Sequence, residues 1–279
     1  GKTNKKLLLF APDFSVAEEI AVRIPEATDD EGDSCEDLPA LTTWMKDEFS
    51  RVLDDSRWQI SHLNFSGYGA SLVHLNAAGD LLTPLYDYLK PFPEELKVRF
   101  EAENGKIENV ARETSSPFLG NLNSGLQLWR LAATRPHVFA AIHTSLHLPQ
   151  YLSWVFTGNC YSDLTSTGCH TMLWDFAKSE YHGWANRSGI AAKLAPMVTA
   201  GTSTLNFSGR AIVTGYGLHD SSAALIPYLR QGSDDFILIS TGTWSIALNP
   251  SSREPLSDAD LNADYLCYLT PEGRQVKAS

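Results

Sequence analysis

The sequence has 279 residues, 43% hydrophobic and 20% charged, which is enough apolar material to bury the core of one large domain or two modest ones. Its formal net charge of -11 argues against a partner held by a broad basic surface, such as nucleic acid or an anionic membrane, and favours small-molecule ligands. The four cysteines, Cys35, Cys160, Cys169 and Cys267, lie far apart with no C-x-x-C pair; neither a disulfide framework nor a zinc knuckle is indicated, and a reducing cytoplasm is the expected location.

The opening GKTNKKLLLFAPDF sets lysines before an apolar run that is too short for a signal peptide and meets Pro12 at once. No stretch approaches transmembrane length, so the sequons at Asn64, Asn186 and Asn206 read as chance matches. The lack of an initiating Met and the end at GRQVKAS suggest residues missing from one or both ends. Residues 6–10 and 16–24 read as adjacent strands, and TDDEGDSCED (28–37) as a solvated acidic loop. Leu41, Trp44, Met45, Phe49 and Val52 then recur at helical spacing over residues 38–53. WQISHLNFSGYGASLVHLNAAGDLLTP returns to strand around Ser66-Gly67-Tyr68-Gly69, with a second turn at Ala78-Gly79-Asp80, giving an α/β unit.

Residues 125–187 carry a mostly helical pattern. Residues 189–201 form a loop-rich return, and AIVTGYG (211–217) is a strand leading into LHDSSAALI. FILISTGTWSIALNP (236–250) reads as a hairpin turning near Thr241-Gly242-Thr243, and a domain boundary is placed near Ser233.

Asp220 has two readings. As an N-cap it would accept backbone N–H bonds of the first helical turn. As a carboxylate kept ionised by the positive helix end, among the small residues Gly217, Ser221, Ser222 and Ala223, it could orient a substrate hydroxyl and take its proton. His219 alone reads as a packed histidine. In STGTWS, Gly242 between two threonines could face a phosphate or simply turn a hairpin. The initial GKT lacks the helix that a P-loop needs, because KKLLLF reads as strand. His143 and His147, four apart, would share a helix face but lack the accompanying acid of a metalloprotease motif; Cys169-His170 with Cys160 lacks metal spacing. Tyr68, between glycines, could pack against the apolar face of a sugar or into the core.

Taken together, these segments resemble the FGGY family of carbohydrate kinases, the branch that includes rhamnulokinase, fuculokinase and xylulokinase, over nearly the whole chain. Gly1-Lys2-Thr3-Asn4 before a strand resembles the end of its first phosphate loop, and NFSGYGASLVHLNAAGDLLTP its sugar-site hairpin. LQLWRLAATRPHVFAAIHTSLHLPQYLSWVFTGNCYSDLTSTG is similar to its central helical segment, GLHDSSAA to its catalytic block and ISTGTWS to its second phosphate segment. The resemblance implies an α/β fold of RNase H-like, actin-like ATPase type, a mixed sheet flanked by helices. Residues 1–232 would be the sugar-binding domain and 233–279 the start of a truncated nucleotide-binding domain. It implies Asp220 as general base, Ser66, Tyr68, Tyr86, Asp87 and His219 as sugar-contacting candidates, and Gly1, Thr3, Asn4, Thr241, Gly242 and Thr243 beside the phosphates. The implied cofactors are ATP and Mg²⁺, the implied partner a small sugar, and a homodimer is compatible with it.

Departures accompany the match. The acidic residue expected to help hold Mg²⁺ would lie before Gly1, Lys2 stands where a small hydroxyl residue is common, and Gln150 follows Pro149 where many relatives carry Asp. With the adenine-binding segments outside the chain, these residues are expected to bind sugar but to phosphorylate it poorly or not at all. A sugar-binding sensor that retains only the first domain is the competing reading, and an actin-like ATPase without a sugar substrate a third.

Overall fold

The computed structural model describes residues 2–199, 201–232, 235–241 and 245–279. The chain opens as an antiparallel hairpin, Lys5–Phe10 against Val16–Val22, with a register shift between Leu9 and Phe10. Lys5 and Leu9 turn inward while Lys6, Leu8 and Phe10 face solvent, the two-residue period of a half-buried strand.

The acidic run does not stay a solvated loop. Asp29 is 6% exposed, accepts the N–H groups of Glu31 and Asp33 at 2.8 and 2.9 Å, and binds the Lys90 ammonium at 2.5 Å. Lys90 also meets Glu31 and Asp33. A distant lysine thus supplies the counter-charge that makes burial of Asp29 tolerable.

The helix Leu38–Asp54 begins where Asp37 accepts the Ala40 N–H at 2.9 Å. Its stripe of Leu38, Leu41, Met45, Phe49, Val52 and Leu53 is buried. The first part packs with Val73, Leu75, Leu146 and Leu148, the second with Leu205 and Ile212. This is the helix expected from spacing, within a residue of its bounds.

Residues 125–187 differ from their mostly helical reading. Thr144–His147 is a strand, antiparallel to Leu72–Leu75, and all eight paired residues are buried. A strand covered on both faces loses its alternation and is hard to tell from a buried helix by pattern. His143 and His147 therefore share no helix; His147 bonds Ser124 Oγ through Nε2 at 2.9 Å. Beside this strand pair, Glu94–Asn104, Ile107–Glu113 and Ser124–Thr134 are helices around a core in which the Phe100 ring meets Trp129 and Trp184 edge-on at 5.2 and 5.1 Å. Such pairs contribute roughly 0.5–1.5 kcal/mol beyond area burial.

Two short parallel pairings position the site. His62–Leu63 pairs with Val213 and Thr214, and Ser66–Gly67 with Leu218 and His219. The partner offset grows by one between them, which places a bulge at residues 215–217. Arg210–Thr214 also pairs antiparallel with Ser203–Phe207, so strand pairing is mixed, as the resemblance implied. The helix Asp220–Leu229 follows, and a four-stranded antiparallel sheet, ordered Leu238–Ser240, Ile246–Asn249, Gln275–Ala278, Leu266–Leu269, packs on it. Leu225 and Cys169 join Leu248, Tyr268 and Val276 in that contact. The hairpin read at residues 236–250 is present; Gly242 and Thr243 at its turn, and Ser233 at the expected domain boundary, lie outside the described residues. Among the described residues, no helix is long and apolar enough to cross a membrane.

Candidate active site

Asp220 is the first residue of its helix, and His219 holds the N-cap position with extended angles, φ -60 and ψ 133. The cap reading is corrected on this point. A capping side chain must sit one residue earlier and fold over the N–H groups of the first turn, whereas among the described residues the Asp220 Oδ1 accepts the adjacent Ser221 N–H, at 2.8 Å, and no other. The carboxylate is 43% exposed, open at the positive end of the helix dipole.

The backbone that delivers it is closely packed. Gly217 has φ +89, and a Cβ there would lie 2.2 Å from the Pro149 carbonyl oxygen, so only glycine fits. Its N–H donates to Asn64 Oδ1 at 3.2 Å, the side chain that fills the bulge. Its carbonyl accepts from Gln150 Nε2 at 2.8 Å, and the same nitrogen donates to Asp163 Oδ1 at 2.9 Å. Asp163 in turn caps the short helix Leu164–Thr167 through the Thr165 and Ser166 N–H groups. Thr165 Oγ1 accepts the His219 N–H at 2.9 Å. Gln150, Asp163, Thr165 and His219 are all buried, and leaving one such group unpaired would cost about 1–3 kcal/mol. On the other side, Ser222 Oγ donates to the Leu269 carbonyl at 2.9 Å.

His219 is 2% exposed. Its ring stacks on Tyr268 at 5.1 Å and meets His170 edge-on at 5.9 Å. Gly69 makes this possible: a Cβ there would lie 2.8 Å from His219 Cδ2 and 3.0 Å from Cys169 Sγ. Burial pushes the His219 pKa down, against the opposing pull of Asp220 and Asp163, so the imidazole is held neutral. Burial also pushes the Cys169 thiol well up, with Asp163 and Asp220 adding to the effect.

The other sugar-facing candidates form a separate chain of contacts. Ser66 is exposed on the strand beside Leu218. Tyr68 donates its hydroxyl to Glu36 at 3.3 Å and meets Tyr88 edge-on at 5.5 Å. The Lys2 ammonium lies 4.9 Å from the Tyr88 ring centroid and pairs with Asp87. Tyr86 turns elsewhere: its hydroxyl donates to Asp30 at 2.9 Å and accepts from Arg135 at 3.0 Å, and it shares no partner with Asp220. A cavity of 580 Å³ is lined by Lys2, Thr3, Arg23, Glu26 and Tyr88 among others; Asp220 is not one of them.

No protein-family model matches the chain, and no curated protein matches it in sequence. Solved structures do match. A carbohydrate kinase from Novosphingobium aromaticivorans is similar over 100% of this chain and 62% of its own, with 29% identity and a TM-score of 0.85. A ligand-bound xylulose kinase from Lactobacillus acidophilus covers 99% of this chain, and 57% of its own length is matched, at 15% identity and TM-score 0.81. A glycerol kinase from Plasmodium falciparum, solved with ADP, gives 99%, 58%, 13% and 0.78 in the same order. The chain has the fold of the FGGY-type carbohydrate kinases. It spans less than two thirds of the length of each of these structures.

Against that kinase fold, the phosphate-side candidates are less built than Asp220. Thr3, Asn4 and Thr241 are exposed, and Asn4 Oδ1 accepts from Arg23 Nε at 3.1 Å. Gly1, Gly242 and Thr243 lie outside the described residues. Magnesium demands oxygen ligands in octahedral array. Among the described residues, the groups of three ligand atoms within 4.8 Å of one another are Cys169, His170 and His219, and Glu113, Asp175 and His182. The first offers sulfur and nitrogen. In the second, Asp175 is already taken by Lys178 and the Ala177 and Lys178 N–H groups. The described residues therefore do not fit a resident Mg²⁺.

Sequence reasoning named Asp220 and His219 but missed what fixes them. Gln150 was singled out only as a departure from the family, and Asp163 and Thr165 carry no motif of their own.

Proposed function

We propose that this chain is the sugar-binding part of an ATP-dependent carbohydrate kinase acting on a hydroxyl of a ketose or polyol. The observation that carries the reading is the Asp220 carboxylate, half open to solvent on a backbone fixed by Gly217, Gln150 and Thr165. The similarity to a carbohydrate kinase at 29% identity supports it.

In this reading the free oxygen of Asp220 accepts a hydrogen bond from the sugar hydroxyl and takes its proton as that hydroxyl oxygen bonds to the transferred phosphorus. The bond from phosphorus to the departing nucleotide oxygen breaks in the same step. Phosphoryl transfer is loose, with little nucleophile activation needed, so a carboxylate that orients the hydroxyl is sufficient. Neutral His219 braces the helix entrance and leaves Asp220 the local negative charge. Ser66 and Tyr68, on the strand paired with Leu218–His219 and just beyond it, would contact the sugar, with Asp87, paired with Lys2, as a further candidate. Thr3, Asn4 and Thr241, with Gly1, Gly242 and Thr243, would hold the phosphates of ATP, and Mg²⁺ would accompany them as a phosphate-borne ion.

The test is calorimetric titration of the protein with ketopentoses, 6-deoxyketohexoses and polyols, followed by a coupled assay of ADP release. Saturable binding of one class by the chain, with ADP release when the chain is extended by the nucleotide-binding domain, supports the reading. Binding without ADP release in the extended protein favours the sugar-sensor alternative, and no binding of any class contradicts both.

A further inference from the structure

Behind Asp220 the fold assembles soft metal-ligand atoms that the phosphoryl-transfer reading does not use. Cys169 and His170 follow the short helix Leu164–Thr167, whereas His219 ends the strand beside Ser66–Gly67. The Cys169 sulfur and one ligand nitrogen from each histidine lie within 4.8 Å of one another. A tetrahedron with zinc–sulfur bonds of about 2.3 Å and zinc–nitrogen bonds of about 2.0 Å has edges of roughly 3.5 Å, so side-chain rotation is enough to close the set. The Asp220 carboxylate, whose Oδ1 lies 3.5 Å from His219 Nε2, stands outside the group of three and would swing toward the ion to become the fourth ligand.

One further feature points to an ion. His170 Nε2 is buried without a hydrogen-bond partner, which ordinary packing leaves at a cost of about 1–3 kcal/mol. The lack of a side chain at Gly69, where a Cβ would lie 2.8 Å from His219 and 3.0 Å from Cys169, lets these two residues pack close to each other, and Tyr268 stacks on His219.

We propose that Cys169, His170 and His219, with the Asp220 carboxylate, form a binding site for a thiophilic divalent cation of the zinc class. On binding, the Cys169 thiol gives its proton to solvent and ligates as thiolate, exchanging its hydrogen bond to the Ser166 carbonyl at 3.1 Å for the metal. Asp220 then becomes a ligand and no longer accepts a proton. The resulting inhibition of phosphoryl transfer rests on the function proposed above; the binding site itself does not.

The experiment titrates the purified chain with Co²⁺, whose thiolate complexes absorb in the near ultraviolet, and then displaces it with Zn²⁺. The expected result is one Co²⁺ per chain with a thiolate charge-transfer band, lost on Zn²⁺ addition. Cys169→Ala abolishes the band, and His170→Gln weakens binding about tenfold or more with an unchanged far-ultraviolet spectrum. Asp220→Asn keeps the band at lower affinity, and Cys160→Ala, outside the cluster, changes neither. Absence of the band from the native chain, or its persistence in Cys169→Ala, overturns the site; if Cys169→Ala does not fold, unchanged affinity in His170→Gln does so. Where turnover is measurable, Zn²⁺ inhibits it and a chelator restores it; a native band without any turnover retains the site and removes only the inhibition.

Discussion

The entrance to the helix Asp220–Leu229 and the segment formed by residues 2–4 would serve opposite ends of the same proposed transfer, yet the chain secures them differently. The first is fixed by a glycine that tolerates no side chain, by Gln150 bridging Asp163 to Gly217, and by Thr165 on the His219 backbone. The second rests on Lys2 paired with Asp87 and on exposed Thr3 and Asn4. The proposed proton-accepting end is thus held by the folded core, where geometry and stability cannot be altered separately. The proposed phosphate end lies on the surface, where a side chain can change with little effect until a ligand arrives.

The comparison breaks most visibly at acid pH. Burial lowers the pKa of His147 to about 3 and of His74 to about 4 from the ordinary 6.5. Both lie on the central strand pair that supports the entrance. Below pH 6.5 the unfolded chain takes up protons that the folded chain refuses, so stability is full above that value and falls with pH down to about 4 for His74 and 3 for His147. The loss is about 1.4 kcal/mol per histidine per pH unit. Denaturant midpoints measured from pH 7 to 4.5 should fall steadily; a flat profile would contradict the buried neutral histidines.

At a single position, Gly217→Ala should destabilise the protein by about 3 kcal/mol or more, through strain at positive φ and the clash with Pro149. A midpoint within error of the native one would show that the bulge can relax. Gln150→Leu keeps volume but leaves the Gly217 carbonyl and an Asp163 oxygen short of a donor, and should cost about 1–3 kcal/mol. At the other region, Asn4→Ala should change stability by less than about 0.5 kcal/mol; a larger loss would show that the two regions are secured alike.

These contrasts explain what the sequence could disclose. The helix Leu38–Asp54, the opening hairpin and the helix carrying Asp220 were legible because each has a periodic apolar face bounded by a turn or cap signal. Thr144–His147 was not, because a strand buried on both faces has no alternation. Nor were Glu94–Asn104 and Ile107–Glu113, whose charged surfaces conceal the few anchors, such as Leu96 and Phe100. At the site, Asp220 was legible as a residue but not as an uncapped carboxylate, since that depends on one residue of register. Cys169, His170 and His219 converge through parallel pairing and packing across some fifty residues of chain, which no local spacing records. Asp29 was read as solvated because its counter-ion, Lys90, belongs to another segment.

The central claim is that Asp220 accepts the proton and does not merely begin a helix. Its direct measurement compares native protein with Asp220→Asn, both extended by the nucleotide-binding domain, for the sugar that binds, by titration for affinity and by steady-state assay for turnover. The account predicts a Kd changed by less than about threefold and a kcat reduced about 100-fold or more. Turnover equal to that of the native protein would contradict it.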